Sequence, residues 1–179
     1  MNAVKEIAAC VCCMLAVSTF AAGCRPSAGD KTASKPAATA AAKTPSAAAV
    51  FSNGWTEDYK GAVKVATEKN VPLFLDFTGS DWCGWCMLMD RQVFEKAEWK
   101  KWAADNLVCV KLDFPQSVKQ TAALKEQNEG LMRRFGVRGF PTFVILSPDG
   151  VKELGRLQCP GRDVKAAQFV GMVKKAIGK

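Results

Sequence analysis

The sequence has no histidine and a single tyrosine among its 179 residues. Without imidazoles, the mixed Cys/His zinc sites that need four ligands at characteristic spacings are excluded. From Val50 onward a second Cys-x-x-Cys is missing as well. The one pair is Cys83 and Cys86, while Cys109 and Cys159 each stand alone. A thiolate-only zinc site therefore lacks its other half. No apolar run reaches the roughly 20 residues that a permanent membrane-crossing helix needs. No internal repeat is visible. The formal net charge is +8, with a pI of 9.1, yet no long block of one sign occurs. Lys and Arg are interleaved with Asp and Glu, and the best cluster, Arg133-Arg134, falls late in a predicted helix. The charge reads as a solvated surface with a weak preference for acidic membranes, and no nucleic-acid partner is expected.

The N-terminal residues carry a different signature. "MNAVKEIAACVCCMLAVSTFAAGC" opens polar, holds an apolar run from Ile7 to Ala22 and closes on small residues. That is the layout of a secretory signal, assigned to residues 1–23. The closing "AAGC" resembles a bacterial lipobox, with Ala21 where leucine is usual. The resemblance implies lipidation of Cys24; ordinary cleavage nearby is the alternative. Acyl chains on that residue would anchor the protein to a membrane. Export would remove Cys10, Cys12 and Cys13 and expose the rest to an oxidising compartment, where disulfides persist. Residues 24–49 are rich in Ala, Pro, Ser and Lys and lack large apolar side chains. Such a segment buries too little surface to offset ordering entropy and is expected to be a disordered tether.

Composition changes at Val50, and a domain is expected over residues 50–179. Thr56 is a candidate cap for a first helix carrying Tyr59, Ala62, Val63 and Ala66. "VPLFLDF" reads as a buried strand, followed by the cysteine pair and a helix from Met87 to about Phe94, continued by "EKAEWKKWAAD". "LVCVKLD" and "PTFVILS" are further buried strands, separated by the helical pattern "QTAALKEQNEGLMRRFG". "SPDG" is a turn by residue type, leading to the strand "VKELGRLQ". "DVKAAQFVGMVKKAIG" ends the chain as an amphipathic helix with Asp163 placed to cap it. Strands alternating with helices imply parallel pairing, and the final turn adds an antiparallel hairpin. The expected class is α/β, a mixed sheet with helices on both faces.

Cys83 would then sit where a helix begins. Unpaired N–H groups and the positive end of the helix dipole favour a thiolate there, so its pKa should fall. Cys86 lies one turn on, on the same side, and can attack a mixed disulfide formed at Cys83. The pattern favours a redox-active disulfide, Cys83–Cys86. A low-coordinate Cu(I) thiolate site remains the alternative, because soft thiolates alone suit that ion. A purely structural staple is disfavoured: the loop it closes is very short. Cys109 alternates with Val108 and Val110 and reads as a small buried apolar residue. Cys159 lies in a Pro-Gly loop, where exposure is expected.

"DFTGSDWCGWC", "VCVKLD" and "GFPTFVIL" together resemble the thioredoxin-fold superfamily. The long segment between Met87 and Asp113 is most similar to exported thioredoxin-like lipoproteins and to the C-terminal reductase domain of the DsbD type. The resemblance implies a thioredoxin fold and a thiol–disulfide oxidoreductase. It implies Cys83 as attacking thiol and Cys86 as resolving thiol. Trp82 matches the flanking tryptophan, and Pro141 a cis-proline facing the disulfide, with the Phe140 backbone free to pair with an extended substrate. Asp76 matches the buried acid beneath the site, a proton shuttle for Cys86, and Lys111 the lysine beside it. Trp85 departs from the pattern, standing where thioredoxin has proline, and is expected to contact substrate. One extra residue also separates Asp76 from Cys83. Expected partners are protein thiol and disulfide substrates, a membrane electron-donor protein and the membrane itself. The expected location is the bacterial periplasm or envelope, with no cofactor. The expected direction is reduction. Disulfide formation by the same residues and a binding module without redox catalysis are the alternatives.

Overall fold

The computed structural model describes residues 51–179. The signal segment, Cys24 and the tether lie outside the described residues. The chain order is β1 (Trp55–Thr56), α1 (Tyr59–Lys69), β2 (Leu73–Thr78), α2 (Gly84–Met89), α3 (Ala97–Asn106), β3 (Val108–Asp113), α4 (Ala122–Arg134), β4 (Thr142–Leu146), β5 (Glu153–Gln158) and α5 (Ala166–Ala176). A π-helical turn, Asp90–Phe94, continues α2. Among the described residues no helix is long and apolar enough to cross a membrane.

The five strands form one sheet in the order β1-β3-β2-β4-β5. β1 and β2 run parallel to β3; β4 runs antiparallel to both β2 and β5. Parallel pairing therefore stops at β2, earlier than strand–helix alternation implies. The reversal has a purpose: it starts β4 at the sheet end where β2 delivers the cysteine loop, since Thr142 pairs with Phe77.

Side-chain alternation along the strands builds a core on each face. Leu73, Leu75 and Phe77 of β2 join Val110, Leu112, Leu131 and Val144 on one side. Phe74 faces the other way, among Met89, Phe94, Trp99, Phe143 and Phe169. Phe74 and Phe143 stack at 5.5 Å, and Trp99 meets Phe74 edge-on at 5.1 Å. Asp76 shares the parity of Phe74 and therefore sits on the face that α2 covers.

Two caps differ from expectation. Asp58, not Thr56, caps α1 by accepting the Gly61 N–H at 3.0 Å, because Thr56 is spent in the edge strand β1. Asp163 does not cap α5. Buried Val164 anchors the chain into the core first, and the helix begins at Ala166 with no side-chain cap.

Candidate active site

The loop from Gly79 to Trp82 carries the chain from β2 to α2, and most of it is pinned. Ser80 donates to Asp113 from its amide at 2.9 Å and from its hydroxyl at 2.6 Å. The Asp81 carboxylate accepts the backbone N–H groups of Gln116 at 3.0 Å and Ser117 at 2.6 Å. Those bonds hold the Asp81 carboxyl below its ordinary range. Trp82 Nε1 donates to the Phe114 carbonyl at 2.8 Å, and the ring lies edge-on to Phe140 at 5.7 Å. Gly79 makes room for that indole: a Cβ there would come within 2.5 Å of Trp82 Cε2.

Cys83 is the N-cap of α2, and its Sγ accepts the Cys86 N–H at 3.2 Å. The two cysteines form a disulfide with Cα atoms 5.2 Å apart. Cys83 is 7% exposed and Cys86 2%. This is less open than the sequence suggests, because the Cys83 sulfur turns back onto the helix start. Trp82 and Trp85 carry the exposure instead, at 41% and 43%. The Arg162 guanidinium lies 5.0 Å over the Trp85 ring.

Pro141, immediately before β4, follows a cis Phe140–Pro141 peptide bond. With Trp85, Phe140, Gln158 and Cys159 it lines a groove of about 340 Å³. Cys159 is half-buried and free, with its sulfur 3.7 Å from the Gly161 carbonyl. Cys109 is buried and free, and burial pushes its thiol well up, with Asp76 adding to the effect. Cys83 and Cys86 are the residues that could hold a soft metal ion. Among the described residues no group of three or more Cys, His, Asp or Glu side chains is arranged to do so.

Asp76 is 2% exposed, and its Oδ1 has no hydrogen-bond partner. Burial raises its pKa from 3.8 to about 8; Asp90 and Asp113 add to the rise, and Lys111 opposes it. Lys111 is opposite Asp76 in the β2–β3 register. Its Nζ, however, pairs with Asp90, 3.1 Å from Oδ2 and 3.3 Å from Oδ1. Burial alone would lower the Lys111 ammonium; Asp90 and Asp76 outweigh it and hold the pKa above its ordinary value. Asp90 and Lys111 also line a cleft of about 610 Å³ that Glu57 and Lys100 share. Asp90 was legible in principle: it lies four residues after Cys86, on the same helix face. The π turn that begins at Asp90 was not.

A disulfide spanning a helix N-cap, at the strand ends of a mixed sheet and on the face that holds a buried acid, defines a thiol–disulfide oxidoreductase. Comparison with known proteins agrees. The family model described as thioredoxin-like matches residues 54–148. The Chlamydia pneumoniae protein named disulfide bond reductase DsbH is 36% identical over 122 residues, covering 68% of this chain and 71% of that protein. Thioredoxin-related protein DsbJ of the same organism is 32% identical over 93 residues, 52% of this chain but 27% of that protein. A solved structure titled DsbH oxidoreductase superposes with a TM-score of 0.63 at 35% identity, covering 68% of this chain and 82% of that one. The chain belongs to the thioredoxin-like family, and its fold is the thioredoxin fold.

Proposed function

We propose that the protein is an exported, membrane-tethered reductase of protein disulfides. The observation that carries the chemistry is a helix-capping Cys83 on the sheet face that also holds Asp76, an acid whose buried Oδ1 has no hydrogen-bond partner among the described residues. The N-cap position favours the Cys83 thiolate, which attacks one sulfur of a substrate disulfide. That S–S bond breaks, the departing sulfur takes a proton from water, and a Cys83–substrate disulfide forms. The Asp76 carboxylate accepts the Cys86 thiol proton. Cys86 then attacks Cys83, the mixed disulfide breaks, and the second substrate thiolate leaves and is protonated. Two electrons have passed from the dithiol to the substrate, leaving the Cys83–Cys86 disulfide.

Asp76 suits that role because its pKa of about 8 lies near that of a thiol. Lys111, opposite Asp76 in the sheet register, lines a cleft together with Asp90; in this reading the Asp76 proton exchanges with water there. Trp82, Trp85, Phe140 and Pro141 form the surface on which an extended substrate adds as a strand. The reducing direction is supported by 36% identity to a relative named as a reductase. A signal-like segment at 1–23, lipidation at Cys24 and a tether at 24–49 would place the domain of residues 50–179 on the outer side of a bacterial membrane. A membrane dithiol protein would return it to the reduced form, because the catalytic cycle consumes two electrons.

Two measurements test this reading. Cys86→Ser in an exporting bacterium should trap covalent partners through Cys83, and their absence would refute thiol exchange with proteins. The equilibrium potential against glutathione should lie toward the reducing end of the roughly −270 to −120 mV that such dithiols span. A value at the oxidising end would reverse the assigned direction.

A further inference from the structure

The groove beside the disulfide has a neutral floor and a charged rim. Trp85, Phe140, Pro141, Gln158 and Cys159 line it, and none carries a full charge at neutral pH. Arg138 directly precedes the lining residues Gly139 to Pro141, and Arg162 directly follows the lining residues Gln158 to Gly161; both are exposed. Among the described residues neither forms a salt bridge, and Asp163, which follows Arg162, does not pair with it. The rim therefore presents two cations with no protein counter-ion.

Arg162 is the better placed. Its guanidinium sits 5.0 Å over the ring of Trp85, one of the two residues between the reactive cysteines. Among the described residues that guanidinium makes no hydrogen bond, so its N–H donors, which fit a carboxylate, are available. The ring fixes the cation in place, so less side-chain entropy is lost when it binds. A substrate strand laid along Phe140 brings its target cysteine to Cys83. The neighbouring substrate side chains then fall over Trp85 and the groove.

We propose that Arg162, seated on Trp85, is a specificity-determining residue that favours disulfide substrates with an acidic side chain next to the target cysteine. This rests on the reading of Cys83 as the attacking thiol. The selection acts on binding and approach, so it adds no step to the exchange.

The test uses the full chain and three synthetic peptides, each with one cysteine in mixed disulfide with 2-mercaptoethanol. They differ only in Glu, Gln or Lys beside that cysteine. The reduced wild type should react with the Glu peptide on the order of fivefold faster than with the Lys peptide at low salt. The Gln peptide should fall between. The ratio should shrink as salt is raised to about 0.5 M, where screening is strong. Arg162→Gln should bring it near one, and Arg162→Lys should leave an intermediate ratio. A wild-type ratio near one, a preference for Lys, or an undiminished ratio in either variant would overturn the proposal. Reduction of uncharged 2-hydroxyethyl disulfide separates the two possible failures. If wild type reduces it without any peptide preference, only the specificity falls. If wild type does not reduce it, thiol exchange falls, and the specificity with it.

Discussion

The two sides of the disulfide are built from opposite materials. Behind it, toward the sheet, stand Asp76, Lys111 and Asp90, three ionisable groups within or at the edge of the core. In front of it stand Trp82, Trp85, Phe140 and Pro141, neutral side chains around an open groove. The acid behind is raised to about 8 by burial. The acid of the β2–α2 loop, Asp81, is lowered by the backbone N–H groups of Gln116 and Ser117 and pins that loop. The same residue type takes opposite roles because one site withholds water and donors and the other supplies both. In the proposed function the rear side governs when a proton leaves Cys86, and the front side governs what reaches Cys83.

That division can be broken most sharply at Asp76. Asp76→Asn should slow resolution of the mixed disulfide about a hundredfold near pH 7, with little change in KM. A rapid-mixing pH profile should lose its inflection near 8. The same substitution should alter stability. The oxidised wild type holds Asp76 neutral when folded, whereas the unfolded chain ionises it near 3.8. The folded state thus binds more protons between those values. Its advantage is complete below the lower one and is lost as pH rises through about 8. Denaturant titrations should show the wild type losing roughly 5 kcal/mol relative to Asp76→Asn across that window.

On the front side the signature should invert. Trp82→Ala should raise KM for protein substrates roughly tenfold while leaving the pH profile in place. Gly79→Ala should do the same to a lesser degree, since its Cβ displaces the indole rather than deleting it. A substantial shift of the pH profile by either variant would show that the two sides are not separate. A smaller, rear-side effect is expected at Asp90. Asp90→Asn removes a charge that raises Asp76 and frees Lys111, which lowers it, so the inflection should move down from about 8. The weakest effect is expected at Asp81. Its depressed pKa means that its contribution is present above the unfolded carboxylate range and lost as pH falls through the folded value. The difference in Tm between wild type and Asp81→Asn should therefore shrink in acid.

Most of this arrangement was legible in the chain. Apolar runs marked β2, β3 and β4, because a strand buried on both faces leaves an uninterrupted signal. The cysteine pair followed β2 directly, and the place of Asp76 within an apolar run already set it apart. What escaped was geometry that depends on distant partners. β1 is two residues long, too short for a pattern, and exists through its pairing with β3. The antiparallel set of β4 depends on how α4 and its loop return the chain. The partner of Lys111 is fixed by the helix that carries Asp90, not by strand neighbours. Arg162 lies some eighty residues from Trp85, and nothing local marks their contact.

The Cys83 cap bond has one further consequence. The amide that its sulfur accepts belongs to Cys86, and the first turn of α2 contains no acidic side chain to offset the positive end of the helix. Whatever that end contributes to a thiolate, it contributes to the reduced protein and less to the disulfide. Folding and redox thus close one thermodynamic cycle. The difference in unfolding free energy between the dithiol and disulfide proteins equals the difference between the folded and unfolded cysteine pairs' potentials. About 30 mV corresponds to 1.4 kcal/mol. Two denaturation curves, one oxidised and one reduced, would therefore measure how far folding moves this pair's potential from its unfolded value, with no electrode and no substrate.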